Sequence, residues 1–213
     1  MDKRGKFIVI EGLDGSGKGT QIKLLQQKLM GDHVFFTREP GGAGNKLAEE
    51  IRTLLLRQDG PPSTALADFY LFFASRAVHV ELTVEPRLKQ GVHVISDRYA
   101  SSTYAFQIYG EERYGHKTLF DSNLGNLGTM FQPDLYIVLD VPPEVAYLRR
   151  KKDDEQAKSK FDIKPLEYHE RVREGYKAFA KKYGPVEFVD ANRPIEAVHE
   201  DVWNIVSREL GFT

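Results

Sequence analysis

The chain has 213 residues, 41% hydrophobic and 29% charged, a balance that suits one globular domain with a sizeable core. Lys and Arg total 30 against 31 Asp and Glu, so the net charge is −1 and a protein that coats nucleic acid or an acidic membrane is disfavoured. The absence of Cys excludes disulfides, cysteine-held metals and thiolate nucleophiles. With no signal-like or membrane-length apolar run in the sequence, the expectation is a soluble cytoplasmic protein.

The first element is Phe7-Ile8-Val9-Ile10, an apolar run without alternation that Gly12 ends; it reads as a strand buried on both faces. Residues 17–30 follow as a helix with Ile22, Leu25 and Leu29 on one face and Gly31 as its stop. His33-Val34-Phe35-Phe36 is the second strand, and 46–57 a helix that carries Leu47, Ile51, Leu54 and Leu55. A long helical pattern runs from near Ser63 to about Gln90, where Pro86 is expected to bend or break it. Val92-His93-Val94-Ile95 and Leu135-Tyr136-Ile137-Val138-Leu139 are the third and fourth strands. Residues 165–183 place Leu166, Val172, Tyr176 and Phe179 inward. Val186-Glu187-Phe188-Val189 is a weaker fifth strand, and a last helix from near Pro194 carries Ile195, Val198, Val202, Ile205 and Leu210. Loops are expected at 57–63, 108–118 and 151–164, the last long and polar enough to read as a mobile flap. Strand–helix alternation of this kind predicts an α/β fold: a five-stranded parallel sheet flanked by helices in three layers, with right-handed crossovers.

Between the first strand and the first helix stands Gly12-Leu13-Asp14-Gly15-Ser16-Gly17-Lys18-Gly19-Thr20, which contains the G-x-x-x-x-G-K of a phosphate-binding P-loop. Glycines let backbone N–H groups approach phosphate oxygens, the helix N-terminus adds partial positive charge, and Lys18 supplies a full one. This assigns Gly12, Asp14, Gly15, Ser16, Gly17, Lys18, Gly19 and Thr20 to the phosphates of a nucleotide. Gly19 occupies the place where a Mg²⁺-ligating hydroxyl is usual and Thr20 comes one place late, as in adenylate kinases, so Thr20 is expected to reach the metal through water.

Three further segments follow in order: Thr37-Arg38-Glu39-Pro40-Gly41-Gly42, Leu71-Phe72-Phe73-Ala74-Ser75-Arg76, and Asp97-Arg98-Tyr99-Ala100-Ser101-Ser102-Thr103-Tyr104-Ala105-Phe106-Gln107. With the P-loop they closely resemble the thymidylate kinase family from Phe7 to about Arg149, and again in Val172-Arg173-Glu174-Gly175-Tyr176 and the last helix. The resemblance implies a P-loop NTPase fold with a small lid, ATP as phosphoryl donor, dTMP as acceptor, Mg²⁺ as cofactor and a homodimer. It also implies roles. Arg38 grips the monophosphate, for which its planar fork is suited. Phe72 stacks on thymine, and Arg76, four residues on and on the same helical face, donates to a base carbonyl. Arg98 bridges acceptor and donor phosphates, and Asp97 holds Mg²⁺ or its waters. Ser102, Thr103 and Gln107 belong to the acceptor site, Phe106 crowds the sugar, and Asp14 meets the 3′-hydroxyl.

An acceptor phosphate is already ionised, so the chemistry needs positioning and charge neutralisation rather than a general base. Lys18, Arg38 and Arg98 supply that. The six His residues show no ligand spacing and are taken as structural or surface. Family members without a P-loop arginine, as here with Gly15 in that place, carry arginines in the lid. The lid expected at 149–164 has Arg149 and Arg150, then Lys151, Lys152, Lys158 and Lys160, with no later Arg. Arg149 or Arg150 is expected to clamp the donor, a lid lysine assisting; a plain solvated charge run is the alternative for each lysine. A kinase of another nucleoside monophosphate or of a deoxynucleoside, and a P-loop ATPase or GTPase switch, are the competing activities.

Overall fold

The β1 strand, Phe7–Gly12, is buried along its whole length, and its side chains alternate between two cores. Ile8 and Ile10 join one, with Leu25, Leu29, Val198 and Val202; Phe7 and Val9 join the other, with Phe69, Phe73, Phe120 and Phe179. That is why the run does not alternate in hydrophobicity: each face of the sheet is covered by helices. The computed structural model describes residues 4–31, 33–42, 44–57, 59, 63–128, 132–152 and 164–212.

Four more strands complete the sheet: β2 (Val34–Arg38), β3 (His93–Asp97), β4 (Leu135–Asp140) and β5 (Val186–Asp190). All pairings are parallel, in the order β2-β3-β1-β4-β5. The register sets Ile10 beside Asp97 and Asp97 beside Arg38. The carboxyl ends of β1, β2 and β3 therefore meet at one edge, where loops from separate parts of the sequence form a crevice. Among the described residues the helices are α1 (Lys18–Lys28), α2 (Lys46–Leu56), α3 (Ala65–His79), α4 (Glu85–Lys89), α5 (Ala100–Ser102), α6 (Lys117–Asn126), α7 (Pro143–Lys152), α8 (Leu166–Ala180) and α9 (Ile195–Leu210).

Several expectations are corrected. The long helical pattern is interrupted just ahead of Pro86, one turn earlier than expected. The turns at Val80–Val84 widen to an i→i+5 pattern, and Pro86 follows in the first turn of α4. The stretch 108–118 is largely not loop. α5 runs on through wide turns at Thr103–Gly110, then come a short helical turn at Tyr114–His116 and α6. Gly110 and Gly175 let this segment lie close against α8: a Cβ at either would come within 3 Å of the opposing element. Of the apolar residues those helical patterns carry, Leu47, Leu54 and Ile195 are exposed, and Ala48 and Leu55 are the buried residues of α2. α6 and most of α7 had no counterpart in the sequence reading. Residues 151 and 152 of the expected flap close α7, while 153–163, with Lys158 and Lys160, lie outside the described residues. Among the described residues no helix is long and apolar enough to cross a membrane.

Candidate functional site

The loop after β1 turns through Gly15 (φ +86°) and Gly17 (φ +96°). Gly17 caps α1 without any side-chain bond, so the first N–H groups of that helix are left for an anion. The buried Lys18 folds over the loop, its Nζ donating to the carbonyls of Gly12 at 3.0 Å and Leu13 at 2.9 Å. Burial holds its pKa below that of a free lysine, with the Arg98 charge adding and Asp14 opposing. A Cβ at Gly15 would meet the Ala146 carbonyl oxygen of α7 at 2.2 Å. That contact closes position 15, the place of the P-loop arginine, to a side chain.

Arg98 follows β3 and sits between the P-loop and the next helix. Its Nη2 donates to Asp14 Oδ1 at 2.7 Å, and its Nη1 to Gly12 O at 3.1 Å, Ser102 Oγ at 2.9 Å and Tyr176 OH at 3.1 Å. The Phe106 ring covers its guanidinium at 4.9 Å. Its backbone is in the left-handed region, φ 71°, which costs a non-glycine residue about 1–2 kcal/mol. The main chain is pinned there by Arg98 N donating to Ile10 O at 3.0 Å and Ser96 Oγ to Arg98 O at 2.8 Å. Burial alone would raise the pKa of Asp14, but Arg98 and Lys18 outweigh it and hold the carboxyl down at about 2. Asp97, one residue before Arg98, has a buried Oδ1 with no hydrogen-bond partner among the described residues. A bare carboxylate oxygen beside a phosphate loop is a hard donor that fits Mg²⁺, which typically takes one or two carboxylates and completes its shell with waters and phosphates.

At the other end, Phe72 and Gln107 line the cleft with Phe106 and Ser102. Arg76 and Thr103 lie behind these lining residues: Arg76 is buried and donates through Nη2 to Thr103 Oγ1 at 3.0 Å and through Nε to Glu39 Oε2 at 2.9 Å. Phe69 is core. Arg38 lies at the mouth, half exposed, paired with Glu49 at 3.1 Å. The cleft, of about 580 Å³, is lined by Lys18, Lys23, Arg38 and Arg52 and by Arg98, Arg149 and Arg150, against three carboxylates, Asp14, Glu39 and Asp97. A chain of net charge −1 therefore concentrates positive charge at one place, which suits two phosphorylated ligands.

A family model described as thymidylate kinase matches residues 10–202. The thymidylate kinase of Clostridium novyi is 35% identical over 93% of this chain and 97% of that protein, and the one from Ruegeria pomeroyi 38% identical over the full length of both. The crystal structure of thymidylate kinase from Ehrlichia chaffeensis superposes with a TM-score of 0.74 at 29% identity, covering 95% of this chain and 99% of that one. The chain belongs to the thymidylate kinase family. It is thus a nucleoside monophosphate kinase, a phosphotransferase, on a P-loop fold.

Within that family frame, the P-loop, Arg38, Phe72, Asp97, Arg98, Ser102, Phe106, Gln107, Arg149 and Arg150 meet at one cleft, except that Gly12 and Ser16 lie beneath its surface. Arg149 also donates to Ala191 O at 3.1 Å, which ties α7 to the end of β5. Four participants had no role in the sequence reading. Arg52 lines the cleft and donates to Pro40 O at 2.7 Å. Glu39 lines it next to Arg38. His79 holds Glu39 at 2.9 Å. Glu11 is a buried carboxylate that accepts from Tyr99 N at 2.9 Å, Ser101 Oγ at 2.6 Å, Ser102 Oγ at 2.6 Å and Tyr176 OH at 2.9 Å. The one available signal for Glu11 is a charge at the end of an apolar strand, which needs partners once buried.

Proposed function

We propose that this kinase transfers the γ-phosphoryl group of ATP to dTMP, giving ADP and dTDP, with the acceptor's base at Phe72 and its phosphate between Arg38 and Arg98. The observation that carries this is the position of Arg98, bonded at once to the P-loop (Gly12 O and Asp14) and to the acceptor wall (Ser102). A guanidinium there touches both phosphate ends. The P-loop amides and Lys18 cradle the donor, Arg149 and Arg150 close on it from α7, and Arg38 orients the acceptor phosphate as nucleophile. The rate then comes from alignment of two polyanions and from fixed positive charge as the phosphoryl group moves. Asp97, and Thr20 through water, would hold Mg²⁺, which supplies neutralisation of the donor's phosphate charge. On the base side, Phe72 offers a stacking face and Arg76 a donor for a carbonyl.

A homodimer fits the surface. Leu47 and Leu54 of α2 and Leu66 and Tyr70 of α3 are exposed on two helices that pack together, an apolar area that a second copy would cover.

The test is ADP release from ATP with dTMP, dUMP, UMP, AMP, GMP or no acceptor. Turnover is expected with dTMP, and weaker turnover with dUMP, because one methyl group is worth only ~1–3 kcal/mol. Equal ADP release without an acceptor, or a preference for AMP or GMP, would sink the assignment.

A further inference from the structure

The TREPGG segment after β2 carries Arg38 into the cleft, but its next residue makes the more telling contacts. Glu39 is buried, and a buried carboxylate is costly unless both oxygens are satisfied. Among the described residues each has one partner: Oε2 accepts from Arg76 Nε at 2.9 Å, and Oε1 pairs with His79 Nδ1 at 2.9 Å. A carboxylate only accepts, so His79 carries its proton on Nδ1 there, and the other ring nitrogen meets Thr37 Oγ1 at 2.7 Å. Arg76 is fixed on its far side as well, by Thr103 and by the rings of Phe73 at 4.9 Å and Tyr99 at 5.1 Å. Its Nη1 is buried and without a hydrogen-bond partner among the described residues.

The same loop is locked to α3 on both sides of Arg76. Gly41 N donates to Ser75 Oγ at 3.0 Å, and Gly42 lies so close to His79 that a Cβ there would meet its Cδ2 at 2.3 Å. The chain of contacts Thr37–His79–Glu39–Arg76–Thr103 therefore joins the end of β2, α3 and the turn after α5. It leaves Nη1, behind the residues that line the cleft, as the Arg76 nitrogen without a partner among the described residues.

We propose that Glu39 and His79 are positioning residues for base recognition: they fix the Arg76 guanidinium so that Nη1 alone meets a carbonyl oxygen of the acceptor's base. The ligand class this selects is a base with an acceptor at that point, and a base with an exocyclic amine there puts donor against donor. Because Arg38 is the residue before Glu39, the relay also ties phosphate grip to base reading. The inference rests on the dTMP reading of the cleft.

Steady-state kinetics with dTMP varied at saturating ATP, and the reverse, test it. Glu39→Gln keeps the shape and removes the charge. Its dTMP KM is expected to rise roughly tenfold or more, as for loss of a charge-assisted hydrogen bond, while the ATP KM stays within about twofold. Arg76→Ala should raise the dTMP KM by itself, and adding Glu39→Gln to it should raise it no further, since the carboxylate acts through the missing guanidinium. His79→Asn, whose amide N–H can replace Nδ1–H, should keep a lower dTMP KM than His79→Phe, and melting curves on each variant identify any that fail to fold. If Arg76→Ala leaves the dTMP KM unchanged, the base site itself is misplaced and the relay falls with it. If Arg76→Ala raises it but Glu39→Gln does not, or if the two effects add, the relay alone is wrong. Equal dTMP KM values for His79→Asn and His79→Phe remove His79 from it.

Discussion

Asp14 stands between Lys18, 3.9 Å away, and Arg98, 2.7 Å away, and keeps about a third of its side chain open to solvent. Its carboxyl is held near 2 against an ordinary 3.8, so the folded state prefers the ion. A depressed carboxyl contributes stability that is fully present above the ordinary value and is lost as pH falls through the folded one. Solvent screening reduces that contribution to on the order of 1 kcal/mol. Asp14→Asn should therefore cost about that much in urea unfolding at neutral pH, with roughly half the difference gone by pH 3. A difference that does not change with pH would show that Asp14 is not ion-paired as described. At this scale the sequence displays what is contiguous. The P-loop, Arg38, Phe72 and Asp97-Arg98 stand in short motifs whose chemistry needs neighbours in the chain. Glu11, Glu39 and His79 were illegible because their partners are distant: Glu39 meets Arg76 and His79 across 37 and 40 residues, and Glu11 meets Tyr176 across 165. A carboxylate's burial follows from that pairing and not from its own surroundings in the sequence.

Elements follow the same division. The five strands were legible because parallel strands covered on both faces read as unbroken apolar runs. The segment after β3 was misread because QIYGEERYGHK has the glycines and charges of a loop, while its fold is decided by α8 packed against it. Gly175 of α8 shows which force governs that contact. In an exposed helix, Gly→Ala stabilises by about 1 kcal/mol. Here the new Cβ would stand 2.7 Å from the Ala105 Cα and 2.9 Å from the Tyr109 Cβ. Backbone at Ala105 has no rotamer with which to retreat, and overpacking of this kind costs about 1–3 kcal/mol. Gly175→Ala should thus lower the melting temperature by a few degrees. It should also raise the dTMP KM, because Phe106, the residue after Ala105, lines the cleft. A melting temperature equal to or above that of the parent would mean that propensity outweighs packing, and that the two helices are less tightly apposed than described.

For the molecule as a whole, the distribution of apolar surface bears on its assembly. The described core accounts for one face of α2 and α3, through Ala48, Leu55, Phe69 and Phe73, while Leu47, Leu54, Leu66 and Tyr70 remain outside, with Leu82 beyond them on the wide turns. Five of the eleven exposed large apolar side chains among the described residues thus stand on one pair of packed helices and their extension. A net charge of −1 sets up little long-range repulsion between copies. A stable pairing needs about 1,600 Å² of total buried area, which a two-helix face on each of two copies can supply. α3 carries Phe72 and Arg76 on another face, so pairing would brace the helix that reads the base without blocking the cleft. The wild-type protein is expected to sediment with the mass of two chains at micromolar concentration, and Leu54→Glu combined with Leu66→Glu with the mass of one. Both positions are exposed, so the far-ultraviolet circular dichroism of the variant should match the parent. A wild-type monomer under these conditions, or a variant that still pairs, would place the interface elsewhere or remove it.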